Sequence, residues 1–171
     1  MGGMDIDIPE SMVGDVSAIK RAAAAHTLPN GHWRFPEQMG LRPHSGFVYV
    51  IRDPYLGRFY MGKKFYRSAA RGSAGQESDW KTYKSSSGTL KAMLKERPIA
   101  EFEFIVLEQY KARGAVSYAE TWGLCHVEAP TTPTWYNVRV EEVSWNVHER
   151  VTERHRNRLQ RVIAGESFRE E

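Results

Sequence analysis

The stretch Gly46 to Lys64, GFVYVIRDPYLGRFYMGKK, admits few folds. Two short runs, Phe47 to Ile51 and Arg58 to Gly62, alternate Val, Ile, Phe and Tyr with other residues around Asp53-Pro54-Tyr55-Leu56-Gly57. The pattern predicts a hairpin, because Pro54 presets φ for a turn and Gly57 supplies the positive φ that a hairpin exit often needs. A hairpin symmetric about Tyr55 sets Tyr49 almost opposite Tyr60, with both phenols on one face. The other face carries Val48, Val50, Phe59 and Met61, an apolar set suited to a core. Gly62 lies beyond Tyr60 without a side chain and is expected to leave the phenolic face open to a ligand. Two exposed tyrosines beside Lys63 and Lys64 point to phosphate chemistry.

The rest of the chain bounds that reading. At 171 residues it is long enough for one domain with extensions. Its 41% hydrophobic and 12% aromatic content fits a globular protein rather than a disordered one. The net charge of +3 is modest, but residues 1 to 16 hold only acidic charges while later segments are rich in Lys and Arg. That asymmetry favours a polyanionic partner. The single cysteine, Cys125, excludes an internal disulfide framework and a cysteine-based zinc site, and suggests a reducing, intracellular setting. With no long apolar run and no basic-then-apolar leader, a cytoplasmic protein without membrane contact is expected.

Along the chain, residues 1 to 9 read as an acidic tail and about Glu10 to His26 as a helix. A loop anchored by Trp33 and Phe35 follows, and the sequence does not decide whether it packs on the domain or reaches towards a partner. After the hairpin, the small and basic Ala69 to Gly75 portion suggests a mobile excursion. Ser85 to Gly88 caps a helix carrying Leu90, Met93 and Leu94, which must stop before Pro98. Glu101 to Glu108 reads as a third strand. Ser117-x-x-Glu120 is a capping box for a helix running towards Glu128, and Asn146-x-x-Glu149 is a second for a final helix bearing Val147, Val151, Leu159, Val162 and Ile163. The expected class is α+β, a small antiparallel three-stranded sheet flanked by helices. Residues 1–45 form an N-terminal extension, 46–145 the central domain and 146–171 a basic C-terminal helix.

Phe47-Val48-Tyr49, ten intervening residues, then Tyr60-Met61-Gly62 resembles the paired signature of the GIY-YIG nuclease superfamily, with Phe47 in place of the first glycine. The segment Asp79 to Leu90, DWKTYKSSSGTL, is similar to one in bacteriophage-encoded, free-standing Seg-type homing endonucleases. The resemblance implies catalytic roles for Tyr49 and Tyr60. It also implies a divalent-metal ligand at Glu120, holding Mg²⁺ or Mn²⁺ together with a substrate phosphate, and a completing asparagine at Asn137. Many members carry an arginine and then a histidine after the second tripeptide. Here Tyr83 is the candidate for the histidine position, and Lys64, Arg67, Arg71 or Lys81 for the cation, with Lys64 and Lys81 entered as catalytic candidates. The implied substrate is double-stranded DNA, cut without a small-molecule cofactor. For a phage-encoded enzyme the setting is the host cytoplasm.

Each residue also has a plainer reading. Tyrosines on a random hairpin are usually sheet aromatics, Ser117-x-x-Glu120 usually serves its own helix end, and asparagine often ends a loop. Lys63, Arg67 and Arg71 are expected to contact nucleic acid, as are Arg154 and Arg158 from the final helix, where Glu149 and Glu153 offer salt-bridge partners instead. Trp80, Trp135 and Trp145 read as anchors, and Cys125, His148 and His155 as structural. The expected function is a metal-dependent DNA endonuclease. The alternative is a GIY-YIG-fold nucleic-acid-binding or virion-assembly protein that kept the fold and lost the chemistry.

Overall fold

The structure, a computed structural model, describes residues 29–140 and 149–168. The acidic tail, the helix expected to end at His26, and Trp145, Asn146, Val147 and His148 lie outside the described residues. The hairpin forms as β1 (Gly46–Asp53) and β2 (Arg58–Phe65), both longer than the alternating runs suggest. Asp53 closes its turn, the carboxylate accepting from the backbone N–H groups of Tyr55 and Leu56 at 3.1 and 3.2 Å. Gly57 takes the positive φ, 62°. Helix α1 (Gly88–Glu96) starts where serine-rich capping predicts, with the Ser87 hydroxyl accepting from Leu90 N, and it ends before Pro98. Strand β3 (Glu103–Tyr110) pairs antiparallel with the free side of β1, so the sheet order is β2-β1-β3. Helices α2 (Arg113–His126) and α3 (Glu153–Ile163) follow. The class is the expected α+β.

Both capping boxes mislead about where helices start. Helix α2 begins four residues before Ser117, at Arg113, after the N-cap Ala112, which has no capping side chain; the Glu149 carboxylate instead accepts from Ala112 N at 2.8 Å. Helix α3 begins after Thr152, whose hydroxyl accepts from His155 N at 3.1 Å. In α2 the reason is burial. Ala115, Val116 and Ala119 pack on the sheet, and covering that surface extends the helix beyond the local serine signal.

Every residue of β1 is buried, because helices and loops cover both faces of the sheet. Val48, Val50, Met61, Ile105 and Leu107 face α2 and α3, meeting Val116, Ala119, Leu159 and Val162. The opposite face, with Phe47, Tyr49, Ile51, Phe104 and Val106, is closed by Trp33, Phe35 and Met39, by Trp80, and by Leu90 of α1. The aromatic loop thus packs on the domain. The Trp33 indole donates to Trp80 O at 2.6 Å, and Arg34 pairs with β3 through Arg34 N to Phe104 O at 2.8 Å. Residues 66–79 make a closed loop rather than a loose one, tied by Ser68 N to Gln76 O and Gly75 N to Ser68 O, both 2.9 Å. Cys125 is exposed, and no helix among the described residues is long and apolar enough to cross a membrane.

Helix α3 buries His155 completely, its Nδ1 2.9 Å from the Tyr110 hydroxyl. Burial, aided by the Arg156 charge, pushes its pKa down to about 3. The unfolded chain takes up that proton below about pH 6.5, so between there and about pH 3 it binds more protons than the fold. Stability is therefore expected to fall with acidification through this window, by up to about 1.4 kcal/mol per pH unit. Urea unfolding of wild type and His155→Gln at several pH values checks this; the variant should show the flatter dependence.

Candidate active site

The turn sets the register. Asp53 pairs with Arg58, so the hairpin is centred between Tyr55 and Leu56, not on Tyr55. Tyr49 therefore faces Gly62, and Tyr60 faces Ile51. The two phenols still share a face, as diagonal neighbours with ring centroids 6.3 Å apart. The expectation of an open phenolic face is corrected. Tyr49 fills the space over Gly62 itself and is 1% exposed, with the Trp33 ring packed against it at a tilt, 4.7 Å between centroids. Tyr60, 9% exposed, stands at the rim with its hydroxyl 3.2 Å from Ser86 Oγ.

A third phenol joins them from the segment between β2 and α1. Tyr83 meets Tyr49 edge to face at 6.5 Å, and each phenol bears on the other's protonation. Lys64 Nζ lies 3.9 Å over the Tyr83 ring and 2.5 Å from the Asp79 carboxylate. Burial, then the neighbouring phenols and the Glu120 charge, hold the Tyr49 pKa well above its ordinary value. Burial raises Tyr83 as well. Tyr49 is thereby held in its neutral, protonated form.

Glu120 does not share the phenols' face. It lies on α2, which packs on the opposite side of the sheet, and its carboxylate accepts from Lys63 Nζ at 2.5 Å. Lys63 is on edge strand β2, next to Gly62, and alternates with it to the α2 side. The carboxylate and the phenols therefore flank the β2 edge instead of lining one face, and the charge of Glu120 still reaches the Tyr49 hydroxyl. Asn137 binds that same edge. Its side-chain oxygen accepts from Met61 N at 2.9 Å and its amide donates to Met61 O at 2.8 Å, in place of a fourth strand. Both amide atoms are spent on backbone, so Asn137 positions the strand beside Gly62.

Residues 33–140, well over half the chain, match the family model described as "Putative endonuclease segE, GIY-YIG domain". The chain belongs to the GIY-YIG nuclease family. No curated protein and no solved structure matches it. The matched residues contain the whole sheet, α1, α2 and Asn137, together with the aromatic loop from Trp33 onward. Helix α3 lies outside the match, yet it completes the core of this GIY-YIG domain through Leu159 and Val162.

The other candidate residues of the GIY-YIG domain are scattered. Lys81 holds its amine 5.3 Å over the Trp80 ring, away from the phenols. Arg67 donates to Gly75 O at 2.9 Å within its own loop, and Arg71 is exposed near the tip of that loop. The expectation that Arg158 contacts nucleic acid is corrected: it is 4% exposed and donates inward to Val106 O at 2.6 Å. Arg154 pairs with Glu37 at 2.8 Å, which neutralises it. Of the α3 arginines, Arg158 turns into the fold, Arg154 and Arg161 pair with Glu37 and Glu166, and Arg156 is exposed over the Trp122 ring; Ile163 is exposed as well.

Arg113, the first residue of α2, joins the site without a sequence motif to mark it. Its guanidinium stacks 3.6 Å from the Phe65 ring and donates to Arg67 O at 3.1 Å, while its Nε has no hydrogen-bond partner. No local signal marks it, since the misplaced capping box puts the helix start elsewhere. Ser86, which partners Tyr60, carries in sequence only the signature of helix-capping material.

Proposed function

We propose that this chain is a metal-dependent endonuclease of double-stranded DNA, of the free-standing, bacteriophage-encoded kind. The observation that carries the reading is the cluster of Tyr49, Tyr60, Tyr83 and Lys64 on one side of the β2 edge, with Glu120 on the other. No group of three or more metal-type side chains occurs among the described residues. The donor chemistry suits a hard cation such as Mg²⁺ or Mn²⁺, which keeps waters and leans on substrate phosphates beside one or two carboxylates. Glu120 would hold that ion, which supplies Lewis-acid charge at the phosphoryl oxygens when bound.

The chain's own residues do the rest. A water oxygen attacks phosphorus as the bond to the leaving oxygen breaks; Tyr60 Oη accepts the water's proton as its own passes to solvent, and the leaving oxygen takes a proton from solvent. Tyr49, kept protonated by burial, packs edge to face on Tyr83 and fixes the phenol cluster, so little reorganisation accompanies the reaction. The Lys64 ammonium, steadied by Asp79 and the Tyr83 ring, offsets the charge growing on the non-bridging oxygens. Asn137 holds Met61, which keeps the Gly62 backbone under the Tyr49 ring.

The purified protein is expected to convert supercoiled plasmid to nicked or linear DNA with Mg²⁺ and to leave it intact with EDTA. Salt-sensitive DNA binding without cleavage under either Mg²⁺ or Mn²⁺ would reject the hydrolytic reading.

A further inference from the structure

The basic surface beside the phenol cluster is not on the arginine-rich α3. A cleft of about 410 Å³ on one side is lined by Lys84, Lys91 and Lys95, with Tyr83 and Asp79. A second, of about 490 Å³, is lined by Lys63, Lys64, Arg67 and Arg113, again with Asp79. Among the described residues Asp79 is the single carboxylate lining either cleft, and Lys64 already holds it at 2.5 Å. The two clefts thus meet at the Lys64–Tyr83 contact, inside the proposed reaction centre. By contrast, the cleft beside α3 is lined by Glu37 and Glu153 as well as by arginines, so its charge is largely cancelled.

We propose that these two clefts form one phosphate track, in which a DNA strand passes over Lys64 and Tyr83 with its flanking phosphates held by Lys91 and Lys95 on one side and by Arg113 on the other. The inference rests on the endonuclease reading and assigns contacts that it leaves open. Several features support it. Helix α1 presents Lys91 and Lys95 four residues apart, on one face, so both reach one cleft. Arg113 is fixed by the Phe65 ring and Arg67 O and lines the second cleft, where its guanidinium meets a phosphate oxygen. A planar guanidinium held in this way loses little entropy on binding an oxyanion. These contacts position the strand and carry no base readout.

The test measures binding of a short fluorescent DNA duplex in EDTA, where no cutting intervenes, across a range of salt concentrations. Arg113→Gln should weaken binding by about 3- to 10-fold and lower the salt slope by about one. Lys91→Gln/Lys95→Gln should lower the slope by about two. Arg113→Lys should recover the slope, which a merely structural loss at Arg113 would not, and Arg154→Gln should bind as wild type. Unchanged slopes for both Gln variants, or a loss appearing in Arg154→Gln instead, would overturn the track. So would a clear preference for an RNA duplex over DNA. Plasmid cutting by variants with unchanged slopes rejects the track alone. Normal slopes without cutting under any metal reject the endonuclease reading alone.

Discussion

Glu120→Gln is expected to cut plasmid DNA at least about a hundredfold more slowly than wild type, while binding duplex DNA in EDTA almost as well. The substitution keeps the shape of the side chain and a hydrogen-bond acceptor for Lys63, so the 2.5 Å contact survives without its charge. What it removes is the anionic oxygen pair that Glu120 holds at the β2 edge opposite the phenols. A hard cation binds poorly without a carboxylate, and the reaction then lacks charge where the leaving oxygen develops its own. Folding should change little, because the pair is partly exposed and Gln still bonds Lys63. A thermal melt run alongside the cleavage assay separates the two effects. Wild-type cutting by Glu120→Gln would remove Glu120 from the mechanism.

The second large effect is expected at Gly62. A methyl group there would stand 2.6 Å from Tyr49 Cζ and 3.1 Å from Tyr60 Cε1. Neither ring has room to retreat. Tyr49 is backed by Trp33, and Tyr60 packs in the same buried cluster. The strand is held too, since Met61 is pinned to Asn137 on one side and paired with Val50 on the other. Gly62→Ala is therefore expected to cost about 1–3 kcal/mol of stability, a melting-temperature drop of roughly 2–12 °C in a protein of this size. Cleavage should fall as well, because any relief moves Tyr49 off Tyr83 or Tyr60 off the rim. Gly88→Ala serves as the control, since a Cβ there meets no atom within 4 Å and the position is helical. Equal melting temperatures for Gly62→Ala and Gly88→Ala would show that Tyr49 does not occupy the Gly62 space.

Much of the site is legible locally. Two alternating runs around Asp53-Pro54 and Gly57 suffice for the hairpin, and period-two alternation puts Tyr49 and Tyr60 on one face and Val48, Val50 and Met61 on the other. Ser87 marks the start of α1, and Pro98 its limit. The order of tripeptides, Tyr83 and Glu120 is enough to suggest the family, and the family match bears that out. These features come from single residues acting on their neighbours, and such effects survive without knowledge of the rest of the chain.

Only the tertiary structure decided the remainder. A half-residue shift in the turn centre put Gly62, not Tyr60, under Tyr49, and the aromatic loop from Trp33 turned an expected open face into a core. Burial of α2 against the sheet overrode the Ser117 capping signal and brought Glu120 to the far side of β2, with Arg113 at the mouth of a cleft. The arginines of α3 read as a basic surface along the chain, yet Arg158 is interior and Arg154 is neutralised by Glu37. Alternation and capping are properties of a few consecutive residues, so a sequence can state them. Which charge is left over for a substrate depends on partners far away in the chain, and packing alone selects those partners.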